Sequence, residues 1–134
     1  MYSAIVLDEK SQLSLSAWAD KNVKINGVRL PILVNPDNGW KMFCHHMTIK
    51  YPGIPEFAKQ YIDTDQNLEV THLGIDRNVV AVRVVGFHSE NKIPHVTVAV
   101  NVRGGGKPAM SNQITNWIPV ENGPKLKGIV KELN

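Results

Sequence analysis

A chain of 134 residues is the length of one domain, 1–134, and can bury roughly two-thirds of its unfolded-chain surface in a single core. With 43% hydrophobic and 20% charged residues it has the make-up of a soluble globular protein, and no apolar run approaches the ~18 residues that cross a bilayer, which excludes a membrane-spanning role. Net charge is +3 from dispersed Lys and Arg, enough to tolerate an anionic substrate but short of a duplex-binding footprint.

The opening MYSAIVLDEK has no basic stretch ahead of a longer apolar core, so its apolar run reads as a strand over 2–7 and not as a secretory signal. A cytoplasmic monomer is expected, and the lone Cys44 excludes an internal disulfide. Asp8 then caps a helix with Leu13, Ala17 and Trp18 on one stripe. Residues 22–40, with NG, LP and NPDNG, read as short strands and irregular loop. KMFCHHMTIKY at 41–51 is a strand stopped by Pro52 and Gly53, and Pro55 opens a short helix at its first position. Strands at 67–75 and 78–87 form a hairpin through DRN, and 93–101 is a further strand. A glycine-rich loop at 103–112 leads to a helical turn, SNQITNW, capped by Ser111, and KLKGIVKEL is a final strand. The elements add up to an α+β domain, mostly antiparallel sheet with two or three helices.

One small pattern occurs twice. HMTI at 46–49 and HVTV at 95–98 both read His, apolar, Thr, apolar inside an expected strand. Side chains two apart on a strand share a face, so each His points the same way as its Thr, while Met47 and Val96 point to the core. By the same parity Cys44, His46, Thr48 and Lys50 share one face, and Phe43, His45, Met47, Ile49 and Tyr51 the other, leaving His45 with the core. On the second strand His95, Thr97, Ala99 and Asn101 oppose Val96, Val98 and Val100. Two imidazoles facing one another suit acid–base hydrolysis, one taking a proton from water and the other donating to a leaving oxygen. Two hydroxyls beside them can hydrogen-bond non-bridging oxygens, the services a phosphodiester needs.

Other residues carry two readings each. Lys107 in the glycine-rich loop either pairs with a phosphate or is solvated; Ser111 and Asn112 contact substrate or cap a helix; Lys50 binds phosphate or ends a strand in water. Tyr51 and Trp117 stack a nucleobase or are buried, with parity against Tyr51. His72 and His88 read as ordinary surface or strand residues. No metal site is expected, because Cys44, His45 and His46 alternate faces and no second cluster offers ligand spacing.

The paired motif resembles the 2H phosphoesterase superfamily. HVTVAV followed by GGKPAMSNQI is similar to the cyclic phosphodiesterase domain of fungal-type tRNA ligases, with Lys107, Pro108, Ser111 and Asn112 at the corresponding Lys-Pro and Ser-Asn pairs. The resemblance implies a two-lobed, pseudosymmetric arrangement of sheets with outer helices and a central cleft. It also implies metal-independent, cofactor-free opening of a cyclic phosphodiester, most simply an RNA 2′,3′-cyclic phosphate end, leaving a 2′-phosphate. His95 would activate water, His46 would protonate the departing O3′, and Thr48 and Thr97 would hold phosphoryl oxygens. The same motifs occur in phage enzymes that cleave 3′,5′-linked cyclic oligonucleotides, so that small cyclic substrate stays open beside the RNA end, as does a non-catalytic nucleotide- or RNA-binding module.

Overall fold

The apolar run near the start becomes strand β1, Tyr2–Leu7, and Asp8 turns it into helix α1, Glu9–Asn22, its carboxylate accepting a hydrogen bond from the Ser11 N–H at 2.7 Å. The computed structural model describes residues 1–134, the side chain of Pro36 excepted. The helix buries a different stripe from the one its sequence suggests: Ser11, Leu15 and Ala19 face inward, while Leu13 is 65% exposed and Ala17 is also outside. Ser11 accounts for the rotation, because its hydroxyl accepts the Lys127 backbone N–H at 2.8 Å.

Asn26 and Gly27, at φ 51° and 79°, make the two-residue turn between β2, Lys24–Ile25, and β3, Val28–Arg29. A one-turn helix, α2 (Leu30–Leu33), leads through a 3-10 turn to β4, Trp40–Met42, and β5, His46–Lys50. Pro55 immediately precedes α3, Glu56–Lys59, instead of occupying its first position. The hairpin forms as β6, Asp65–Ile75, and β7, Val79–Val85, followed by β8, His95–Asn101. A 3-10 helix, Pro108–Gln113, contains Ser111 in its body and not as its cap; Trp117 belongs to a short strand, β9 (Trp117–Pro119), and β10 is Lys125–Leu133.

The strands join in the order β10-β1-β5-β8-β7-β6, and β6 pairs again with β10, closing six antiparallel strands into a barrel-like ring. β6 is long enough to serve both neighbours, Asp65–Glu69 pairing with β10 and Glu69–Ile75 with β7. The α+β class and its mostly antiparallel character are therefore as the sequence pattern suggests. Ile5 and Leu7, Met47 and Ile49, Val96 and Val98, Val82 and Val84, and Leu126 and Val130 fill the ring, joined by Leu15, Leu30 and Ala58 from the helices. No helix among the described residues is long and apolar enough to cross a membrane.

Two departures from simple alternation shape the outer surface. The expected strand 41–51 is broken: Met42 pairs with Ala99 and Met47 with Val96, so five steps on one strand face three on the other. The two extra residues are absorbed at Phe43–His45, where Cys44 takes the left-handed conformation, φ 52°, and both Phe43 and Cys44 donate their N–H groups to β8 carbonyls, Val98 at 2.8 Å and Thr97 at 3.0 Å. On β8, Val98 has no partner on β7, since Val80 pairs with Ala99 and Ala81 with Thr97. Beyond that bulge the faces exchange, so Ala99 joins the main core while Val100 packs outside with Val79, Ala81 and Ile114.

Candidate active site

β5 and β8 meet at one ladder pair, Met47 with Val96, both fully buried in the ring. Continuing this antiparallel register one residue either way puts His46 opposite Thr97 and Thr48 opposite His95 on the outer face. Cross-strand Cβ atoms so placed are roughly 4.5–5.5 Å apart. The two His-x-Thr pairs thus form one four-residue cluster, and all four side chains line a single cavity of about 560 Å³.

Each imidazole has one nitrogen already committed. His95 is 7% exposed and its Nδ1 lies 2.8 Å from the Ile93 carbonyl. A carbonyl only accepts, so Nδ1 carries the proton and Nε2 is left with its lone pair. Burial pushes the His95 pKa below its ordinary value, partly offset by that hydrogen bond. His46 engages a neighbour instead: its Nδ1 lies 2.9 Å from His45 Nδ1, with the rings edge-on at 5.1 Å between centroids. Only Nε2 of His46 remains for the cavity. Burial, with repulsion from His45 and His95, pushes the His46 pKa down to about 4, so in the free protein His46 and His95 are both neutral at pH 7.

His45 is where parity reasoning fails. Strict alternation places it on the core face, but the strand break at Cys44 leaves it exposed, outside any strand, at the cavity wall beside His46. Cys44 goes the other way, 3% exposed, its thiol pushed up to about 12 by burial. Cys44 therefore shares no outer face with His46, and no group of three or more metal-ligating side chains occurs among the described residues.

The hydroxyls differ in their surroundings. Thr97 Oγ1 lies 2.8 Å from the buried Ser111 Oγ and 3.4 Å from the Pro108 carbonyl. If Ser111 is the donor of the short contact, the Thr97 hydrogen is free to turn from the distant carbonyl to a ligand oxygen. Ser111 thus acts behind Thr97, while Asn112, from the same 3-10 helix, reaches the cavity wall itself. Across the cavity, loop 86–94 is pinned to β5 by Ser89, which donates to the Thr48 carbonyl at 2.7 Å, and presents Asn91.

The remaining sequence candidates divide. Tyr51, 76% exposed and just past the end of β5, lines the cavity with Tyr2, their rings 5.8 Å apart. Lys50 and Lys107 are exposed and line no part of it. Two of the glycines before Lys107, Gly104 and Gly106, pack against the strand ends: a Cβ on Gly106 would lie 2.8 Å from the carbonyls of Asn101 and Asn78. Trp117 packs over Gly74, with its indole N–H donating to the Ile114 carbonyl at 3.1 Å, away from the cavity. His88 stacks edge-on against Phe57, and His72 sits 2.9 Å from the Thr71 hydroxyl. Nothing in the sequence signals Tyr2 and Asn91, which arrive from segments carrying no motif, and Phe43, which parity places on the core face with His45, reaches the cavity wall through the same strand break. Compared with protein-family models and with curated proteins, the sequence matches none.

Proposed function

We propose that the protein is a metal-independent phosphodiesterase that hydrolyses a cyclic phosphodiester, most simply the 2′,3′-cyclic phosphate at an RNA end, leaving a 2′-phosphate. The observation that carries this reading is the convergence of His46, Thr48, His95 and Thr97 on one cavity, each imidazole turning a single uncommitted nitrogen toward it.

In the proposed reaction the two rings have unequal duties. His95 Nε2, a lone-pair acceptor by its tautomer, takes a proton from water as the oxygen attacks phosphorus. The P–O3′ bond breaks in line with that attack, and O3′ receives a proton from His46 Nε2. Water is thereby added across one P–O bond, giving a 3′-hydroxyl and a 2′-phosphate. His46 must be protonated to donate, although it is neutral in the free protein at pH 7. The charge of the bound phosphate supplies the incentive, because an anion between two depressed imidazoles favours uptake of one proton. Thr48 and Thr97 offer hydrogen bonds to the non-bridging oxygens, where charge accumulates.

We also read the ring as two pseudosymmetric lobes of the 2H type, β10-β1-β5 and β6-β7-β8. Support for this comes from the matched three-strand halves, each contributing one His-x-Thr strand to the β5–β8 seam, where a single ladder pair joins them, while β6 and β10 close the other seam.

The deciding experiment incubates the protein, with chelator, with an oligonucleotide ending in a 2′,3′-cyclic phosphate. Turnover to a 2′-phosphate end is expected, lost in His46→Ala and in His95→Ala. No turnover, or activity that survives both substitutions, rejects the reading.

A further inference from the structure

The outer face of the ring carries two cross-strand rows through the cavity. One runs Val6, His46, Thr97, Ala81, Gly74, Trp117, and past the motif it is covered by Ile114 and Trp117. The other runs Ala4, Thr48, His95, Arg83, His72, Pro119. Past the motif the second row is polar, with Arg83 directly opposite His95 on one side and His72 on the other.

Arg83 is half-buried, yet the three ion pairs among the described residues are Lys59–Glu56, Lys127–Asp65 and Lys131–Asp63. Among the described residues its guanidinium makes no hydrogen bond, and Glu69, opposite Val85 one outer position farther along, does not pair with it. A partly desolvated guanidinium with five donors and no acceptor is poised for an anion from outside. It lines a second cavity, of about 400 Å³, together with Val85, Phe87, Ser89 and Pro94. Ser89 and Pro94 belong to the loop 86–94 that also walls the first cavity through Asn91. Adjacent strands are roughly 4.8 Å apart, so a flexible Arg side chain one strand from His95 reaches about one nucleotide beyond the reacting phosphorus.

The geometry points to Arg83 as a second phosphate subsite, which binds the next phosphodiester of the same substrate and so selects oligonucleotides over mononucleotides. This deepens the reading of the site as a cyclic phosphodiesterase and rests on it for the position of the first phosphate. The next phosphodiester is internal to a linear RNA end or is the opposite linkage of a cyclic dinucleotide; the chemistry recognised is the same.

The test compares wild type, Arg83→Gln and Arg83→Lys on a nucleoside 2′,3′-cyclic phosphate, a tetranucleotide with a 2′,3′-cyclic end, and a 3′,5′-linked cyclic dinucleotide. Arg83→Gln is expected to lower the ratio of kcat/KM on the multi-phosphate substrate to that on the mononucleotide roughly tenfold, with partial recovery in Arg83→Lys. Which multi-phosphate substrate shows the effect identifies the source. An unchanged ratio overturns the subsite. A second readout does not depend on turnover: binding of a tetranucleotide ending in a 2′-phosphate, followed against salt. Losing one phosphate contact lowers the slope of log K on log salt by about 0.7. A reduced slope without turnover keeps the subsite and rejects the hydrolase reading; an unchanged slope rejects the subsite whatever the turnover.

Discussion

Replacing His46 by Asn removes a ring that the fold keeps neutral, and the consequence is a pH-dependent change in stability. In the folded protein His46 protonates only near pH 4, against 6.5 for the unperturbed ring. Between those values the unfolded chain binds a proton that the native state does not, so stability falls as pH drops from 6.5 toward 4. At 1.36 kcal/mol per pH unit, the interval corresponds to at most about 3 kcal/mol, all of it lost by pH 4 and none of it above 6.5. Urea unfolding of wild type and His46→Asn, measured at fixed ionic strength from pH 4 to 8, isolates this ring because other titrations largely cancel in the difference. The difference should be flat above pH 6.5 and should move in favour of the variant by about 3 kcal/mol on the way to pH 4. Parallel curves, or a wild type that gains on the variant in acid, would refute the assignment of a buried neutral imidazole.

The same protonation should appear in ligand binding: a nucleoside 2′-phosphate should bind more tightly as pH falls toward the His46 value of about 4, with proton uptake visible as a buffer-dependent heat, and pH-independent affinity would contradict the acid–base pairing. His45→Ala should change the unfolding free energy by no more than about 0.5 kcal/mol, as for an exposed side chain, yet move the acid limb of the pH–rate profile, because His45 holds His46 Nδ1. Ser111→Ala should cost about 1–2 kcal/mol in stability through the lost buried hydrogen bond and should reduce kcat through Thr97; a variant with full turnover would detach Ser111 from the site.

How far the site was legible depended on local backbone regularity. HMTI and HVTV each alternate cleanly over four residues, so the convergence of His46 with Thr48 and of His95 with Thr97 followed from a period of two. The same rule failed at Cys44 and at Val98. Nothing in the side chain of Cys44 announces a left-handed backbone, which glycine would have signalled, and the two extra residues around it are set by the register of the partner strand. His45 was misassigned for that reason alone. Asp8 was readable because a cap is a local interaction, whereas the rotation of α1 that exposes Leu13 depends on Ser11 meeting Lys127 across 116 residues. Lys107 illustrates the limit of proximity in sequence: the Pro108 and Ala109 that follow it line the cavity, but the lysine does not.

The junction of β5 with β8 has a bearing on motion. A ring is only as stiff as its least bonded joint, and β5 shares a single ladder pair with β8, helped by the Phe43 and Cys44 N–H bonds just before it, while β6 and β7 share six pairs. Because the motif residues sit on both sides of that joint, a slight opening of the strands alters the His46–Thr97 and Thr48–His95 spacings before any other spacing in the barrel. Amide hydrogen exchange should therefore be faster along β5 than along the β6–β7 hairpin, and a bound phosphodiester spanning the joint should slow it there first.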